Sequence, residues 1–255
     1  MVLFPIKDYN PLERIHFQAV TALLIAANVL AFFWQQSWPD MEVGFYQYGL
    51  VPAFLWGTVD APPELGAIAP SLSVLTSMFL HGGFMHILGN MLYLWVFGDN
   101  IEDSMGHGRF LAFYLLCGVA AALSQAAATP DALIPMVGAS GAVSGVLGAY
   151  LLMHPRTHVL VVIFGRMTAR LPAFAVLGLW IVMQVASAAV DDGTGGGTAW
   201  WAHIGGFVAG IILIIPMRHR DVPLLDRPPV PNFEDTEARP SQRSRSRFPD
   251  SGSRN

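Results

Sequence analysis

The chain has 255 residues, 53% of them apolar and only 13% charged, with a net charge of −4 and one cysteine. A soluble domain carries about 25% charged residues. Here residues 218–255 hold 14 of the 32 ionic side chains, so the first 217 residues cannot build a water-facing surface. The lone Cys117 excludes a disulfide scaffold, and the acidic balance offers no basic field for nucleic acid. The composition implies an integral membrane protein with a polar tail.

In chain order, residues 1–14 read as a cytoplasmic N-terminal segment. The first apolar stretch, 15–34, is long and lacks a small-x-small cleavage site, so it reads as retained rather than as a signal peptide. Residues 50–80 are interrupted by Pro52, Pro62, Pro63 and Pro70 and predict a loop with short interfacial helices. Trp38, Tyr46, Tyr48 and Trp56 suit the headgroup level. Apolar stretches follow at 82–98, 110–128, 140–153, 171–190 and 200–217, against the roughly 20 residues needed to cross about 30 Å of hydrocarbon. Six spans place both termini on one side, which then receives all 14 basic residues. By the positive-inside rule that side is cytoplasmic. The expectation is an all-α polytopic protein with six transmembrane helices over 15–217, in a bacterial inner (plasma) membrane. The Pro-, Ser- and Arg-rich tail, 218–255, has too few apolar residues to fold alone.

The fourth stretch, Ser140 to Met153, is short. Fourteen residues rise only about 21 Å, so Ser140 stops below the outer surface and the connection 130–139 must dip inward. Irregular backbone at that depth is tolerated only inside protein or beside a wet cavity, which predicts a water-filled pocket. Depth counting fills it. Ser140 lies 16 residues before Arg156, His203 lies 15 before Arg218, and His86 lies 13 before Asp99. All three fall about 20–24 Å above the cytoplasmic interface, with Asn90 one turn deeper and His81 nearer the mouth.

A serine hydroxyl becomes a nucleophile when an adjacent imidazole takes its proton, and the resulting oxyanion needs aimed donors. Ser140 opens a helix, so its N–H is free at the positive end of the dipole. His86 and Asn90 share one helical face and supply two more donors. No Asp or Glu lies inside a span, so a Ser-His dyad is the most the chain offers. Gly141, Gly145 and Gly148 form one small-residue stripe and Ala202, Gly206 and Gly210 another, which would let their helices approach closely. Gly193, Gly195, Gly196 and Gly197 make the loop before His203 a candidate lid. A zinc site from His81, His86 and His203 is not expected, because the spacing lacks His-Glu-x-x-His. A transporter is disfavoured by the lack of intramembrane acids and of matching broken helices.

Three ordered motifs resemble the rhomboid family of intramembrane serine proteases: His81-Gly-Gly-Phe-Met-His86-Ile-Leu-Gly-Asn90, Gly138-Ala-Ser-Gly141 and Ala202-His-Ile-Gly-Gly-Phe-Val-Ala-Gly210. The segment Ile101-Glu-Asp-Ser-Met-Gly106 is similar to that family's cytoplasmic turn. The resemblance covers about residues 15–217. It implies Ser140 as nucleophile, His203 as general base and then acid, and His86, Asn90 and the Ser140 amide as oxyanion hole, helped by the backbone near Gly138. It further implies no metal or cofactor, and as partners the lipid bilayer and transmembrane protein substrates, cut within or beside their helices near small and helix-destabilising residues. One departure is Ser144, four positions past the nucleophile, where some members carry an aromatic that packs on the histidine; Ser144 is a candidate hydrogen-bond partner for the imidazole instead. A second is the lack of an evident Trp-Arg pair in the first outer loop. The rival reading is a catalytically silent, rhomboid-like pseudoprotease that binds membrane helices.

Overall fold

The computed structural model describes residues 3–65, 68–163, 165–191 and 198–225. The chain is mostly helical. It runs β1 (Leu3–Asp8), α1 (Ala19–Gln35), α2 (Met41–Tyr48), α3 (Pro52–Trp56), α4 (Pro70–Thr76), α5 (Phe84–Met105), α6 (His107–Ala128), α7 (Ser140–Met153), β2 (His158–Ile163), β3 (Met167–Pro172), α8 (Ala173–Val190) and α9 (Trp200–Met217). Among the described residues α6, α8 and α9 are long and apolar enough to cross a membrane. The bent pair Pro70–Phe79 and Phe84–Met105, whose axes meet at 79°, brings the number to four if it counts as one span. Helices α1 and α7 are apolar but shorter.

Two carboxylates at the end of α5 set where α1 begins. Glu102, fully buried, accepts the N–H groups of Val20 (2.9 Å) and Thr21 (2.8 Å) and the Thr21 hydroxyl (2.7 Å). Asp103 accepts the N–H groups of Glu13, Arg14 and Ile15 at 3.1, 2.8 and 2.7 Å. The first N–H groups of a helix lack intrahelical partners and sit at its positive end, so the Glu102 anion there is doubly favourable, while Asp103 fixes the segment that leads into the helix. At the far end of α1, Gln35 clamps the backbone of His81, its Nε2 donating to the carbonyl (2.5 Å) and its Oε1 accepting from the N–H (3.0 Å).

Helix α7 is almost wholly buried, packed against α5, α6 and α9 around Phe97, Phe110, Phe113, Tyr114 and Tyr150. Its contact with α9 is backbone on backbone. A Cβ at Gly206 would strike the carbonyl of Gly141, one at Gly210 the carbonyl of Gly145, and one at Gly148 the carbonyl of Phe207. The two small-residue stripes therefore do face each other, and no larger residue fits at those three points.

The expectation of a purely helical chain needs correcting. Strands β1, β2 and β3 form an antiparallel sheet in that order, with His158 opposite Pro172, Ile163 opposite Met167, and Leu3 opposite Ile163. The physical signal is the β-branched run Val159, Val161, Val162 and Ile163, of which Val159 and Val161 are fully buried. Pro5 sits on an edge strand beside a register shift, where a missing N–H is tolerated. Asp8 closes β1 by accepting the Tyr150 hydroxyl at 2.6 Å, which ties the sheet to the end of α7. Burial pushes the Asp8 carboxyl up from 3.8 to about 6, against the lowering effect of that hydrogen bond.

Residues 218–225 turn back along the same end of the bundle. The His219 N–H donates to Ser104 O (2.9 Å), Arg14 pairs with Asp221 (2.7 Å) and the Leu225 N–H donates to Leu152 O (3.1 Å). The rest of the tail, and the glycine loop Gly193, Gly195, Gly196 and Gly197 read as a lid, lie outside the described residues.

Candidate active site

The loop before α7 owes its path to satisfied backbone. Leu50 and Met136 exchange both main-chain hydrogen bonds (3.0 and 2.7 Å), the Ala53 N–H donates to Ala132 O (3.1 Å) and the Gly138 N–H donates to Ser77 O (2.9 Å). Gly138 adopts φ 135°, where any side chain is strained, and a Cβ there would run into the His86 ring at 2.8 Å. Glycine at 138 thus lets the chain pass directly over His86 and deliver Ser140 to the start of α7. That same missing Cβ position lies 3.5 Å from Ser140 Oγ, so the serine hydroxyl and the His86 imidazole flank one point.

A cavity of about 530 Å³ opens here, lined among others by His86, Asn90, Gly138, Ser140, Trp180 and His203. It gathers residues from α5, α7, α8 and α9. Ser140 is the first helical residue, and the amides of that first turn lack intrahelical acceptors and point outward. Asn90, one turn after His86, is buried, and among the described residues its Nδ2 has no hydrogen-bond partner. Gly141 and Gly206 meet in the α7–α9 contact beside Ser140, and Ser144 lies one turn further along α7.

The two cavity imidazoles are each held by one nitrogen. His86 Nδ1 accepts the Gly82 N–H at 3.3 Å, which requires an unprotonated Nδ1 and, in the neutral ring, leaves the proton on Nε2, the atom next to Gly138. His203 Nδ1 lies 2.7 Å from Gln184 Oε1. An amide oxygen carries no proton, so Nδ1 is the donor and Nε2 the acceptor. His86 is thus set up to donate into the cavity and His203 to accept. Among the described residues Ser140 Oγ is not hydrogen-bonded to the His203 ring; catalytic hydrogen bonds are often long without substrate and tighten when it binds.

Other sequence expectations are distributed differently. Ser144 does not reach the imidazole: its hydroxyl donates to Ser140 O at 2.6 Å, the back-bonded geometry open to a helical serine. The aromatic flanks of His203 come from elsewhere, Trp180 at 5.8 Å between ring centroids and Trp200 at 6.3 Å. His81 is fully buried rather than at a mouth and packs edge-on against His86 at 5.1 Å. Gln184 and Trp180 were missed by sequence reasoning. The available signal was an amide in the middle of the fifth apolar stretch, a placement whose default reading is functional.

Comparison with known proteins follows the same stretch of chain. The Rhomboid domain profile matches residues 71–220. Rhomboid protein 1, mitochondrial, of Saccharomyces cerevisiae is 29% identical over 149 residues, 57% of this chain and 41% of that protein. Rhomboid protease GluP of Bacillus subtilis is 41% identical over 78 residues, 31% of this chain and 15% of that protein. RHOMBOID-like protein 7 of Arabidopsis thaliana is 31% identical over 163 residues, 63% of this chain and 45% of that protein. The matched stretches span less than half the length of each of these relatives.

Proposed function

The chain belongs to the rhomboid family, and on that premise we propose that it is an intramembrane serine endopeptidase working with a Ser140–His203 dyad. The observation that carries the reading is the convergence of Ser140, His203, His86 and Asn90 on one cavity, with the two rings held in opposite senses, one donating and one accepting. Its substrates are transmembrane proteins, cut within or next to a membrane helix. The relative named as a protease in Bacillus subtilis is consistent with this reading.

His203 Nε2 takes the Ser140 hydroxyl proton as Oγ attacks the scissile carbonyl carbon. Negative charge moves to the carbonyl oxygen, where the His86 Nε2–H, the Asn90 amide and the Ser140 N–H receive it. The imidazolium returns its proton to the leaving amine as the C–N bond breaks, leaving an acyl group on Ser140. A water, deprotonated by the same nitrogen, then attacks the ester and frees the second product. The close α7–α9 contact holds the two reacting side chains in register.

In the bilayer α1, α5, α6, α7, α8 and α9 are the six spans, with the sheet, both termini and all basic residues on the cytoplasmic side of a bacterial plasma membrane. Helix α7 is short because its N-terminus ends in the cavity. The test is cleavage of a transmembrane reporter in proteoliposomes by wild-type protein, Ser140→Ala and His203→Ala. The proposal expects cleavage by wild type and none by either variant. Cleavage surviving Ser140→Ala removes the nucleophile assignment, and reporter binding without cleavage by wild type favours the silent helix-binding reading.

A further inference from the structure

We propose that Gln184 of α8 is the positioning residue for His203, doing with a neutral amide what a carboxylate does in a three-residue serine protease site; the inference rests on the Ser140–His203 reading above. A neutral imidazole has two tautomers, and only the one with its proton on Nδ1 leaves Nε2 free to take a serine proton. A partner that accepts at Nδ1 selects that tautomer and fixes the ring plane. Gln184 Oε1 sits 2.7 Å from His203 Nδ1.

The orientation of that amide is itself fixed. Gln184 Nε2 donates to the carbonyl of Trp180, one turn earlier on α8, at 3.4 Å. Turning the amide over would set its oxygen against that carbonyl oxygen and lose this hydrogen bond, so the orientation that keeps it presents Oε1, an acceptor, to His203 Nδ1. The same turn of α8 presses the Trp180 ring on the imidazole at 39° between planes. One helix turn thus supplies both the acceptor that sets the tautomer and a surface that sets the ring plane. Both Gln184 and His203 are buried, where an ionised carboxylate in the amide's place would carry a heavy desolvation cost in the resting enzyme. The amide oxygen still accepts when His203 becomes an imidazolium, so it stabilises the charge that develops as Ser140 attacks. Ser144, in contrast, is committed to the Ser140 carbonyl.

The test uses the full chain in proteoliposomes with wild type, Gln184→Leu and Gln184→Glu, reading kcat, KM, Tm and the ¹⁵N signals of His203 assigned by comparison with His203→Ala. Gln184→Leu, which keeps the bulk and loses the acceptor, is expected to lower kcat about 10²-fold, within the range for an impaired general base. KM should change little, and the His203 signal should move from a single Nδ1–H tautomer to a mixture. Gln184→Glu retains an acceptor and should recover most of the kcat loss and keep the proton on Nδ1, with the desolvation cost of the buried carboxylate read as a lower Tm. An unchanged tautomer signal in Gln184→Leu, or equal losses of kcat and Tm in both variants, overturns the proposal. The ¹⁵N measurement needs no turnover, so an inactive wild type would remove the proteolytic reading while the spectrum still decides what Gln184 does to His203.

Discussion

Gly206→Ala is the sharpest perturbation of the helix contact that holds the site together. The added methyl carbon would lie against the Gly141 carbonyl oxygen, well inside van der Waals contact, with the Ala121 methyl at 3.3 Å on its other side. That oxygen belongs to helical backbone and cannot rotate away as a side chain would. Relief comes only by parting α7 from α9, by on the order of 1 Å, and a misplacement of that size costs about 10²-fold in rate. Overpacking a filled interior adds about 1–3 kcal/mol of destabilisation. Expected for Gly206→Ala are a kcat about 10²-fold below wild type, KM little changed, and a Tm lowered by about 2–4 °C for each kcal/mol lost. Gly178→Ala is the matched control. A Cβ there meets nothing within 4 Å, and alanine gains about 1 kcal/mol of helix propensity over glycine, so activity should hold and Tm should not fall. The assay is steady-state cleavage of a transmembrane reporter beside a thermal melt of the same preparations. Wild-type kcat and Tm in Gly206→Ala would refute the reasoning, because the close contact would then not align anything.

Other outcomes follow from separate parts of the structure. The folded protein holds the Asp8 proton between 3.8 and about 6; stability from this group is therefore greatest at acid pH and falls as pH rises through that window, by roughly 3 kcal/mol for a shift of about two units. Asp8→Asn should flatten that slope and melt higher than wild type at pH 7.5, as read by thermal unfolding across pH; an unaltered slope would show that Asp8 is not its source. Glu102→Leu strands two N–H groups and a hydroxyl at the start of α1 and should cost about 3–5 kcal/mol, the range for removing one partner of a buried charged network, seen as a loss of Tm. His86→Ala and Asn90→Ala should each lower kcat, with about 10²–10³-fold the ceiling for one oxyanion donor, while substrate binding by the catalytically silenced Ser140→Ala background stays within a few-fold.

Several residues that line the cavity could be named from the sequence. A serine and two histidines stood at one depth, with an asparagine one turn deeper, because the helices have a fixed rise per residue, and that arithmetic needs no contact information. The paired glycine stripes announced a close helix contact for the same reason: a four-residue spacing maps to one face. Three features were hidden. The sheet joins β1 to strands more than 150 residues later, and its pattern in β2 and β3 is short enough to pass for loop between spans. The acceptor for His203 comes from a helix whose sequence is otherwise uniformly apolar, so its facing could not be read from periodicity, only from the single amide at 184. Ser144 pointed the wrong way because a helical serine has a competing acceptor in its own backbone four residues back, and here that acceptor wins.

The most direct measurement is the mass of the Ser140 peptide after treating purified protein in detergent with a fluorophosphonate, alongside His203→Ala. The account predicts a covalent adduct on Ser140 in the wild type and almost none in the variant, because His203 Nε2 accepts the hydroxyl proton while His86 Nε2 carries one. An adduct on a different serine, or equal labelling of Ser140 with and without His203, would contradict it.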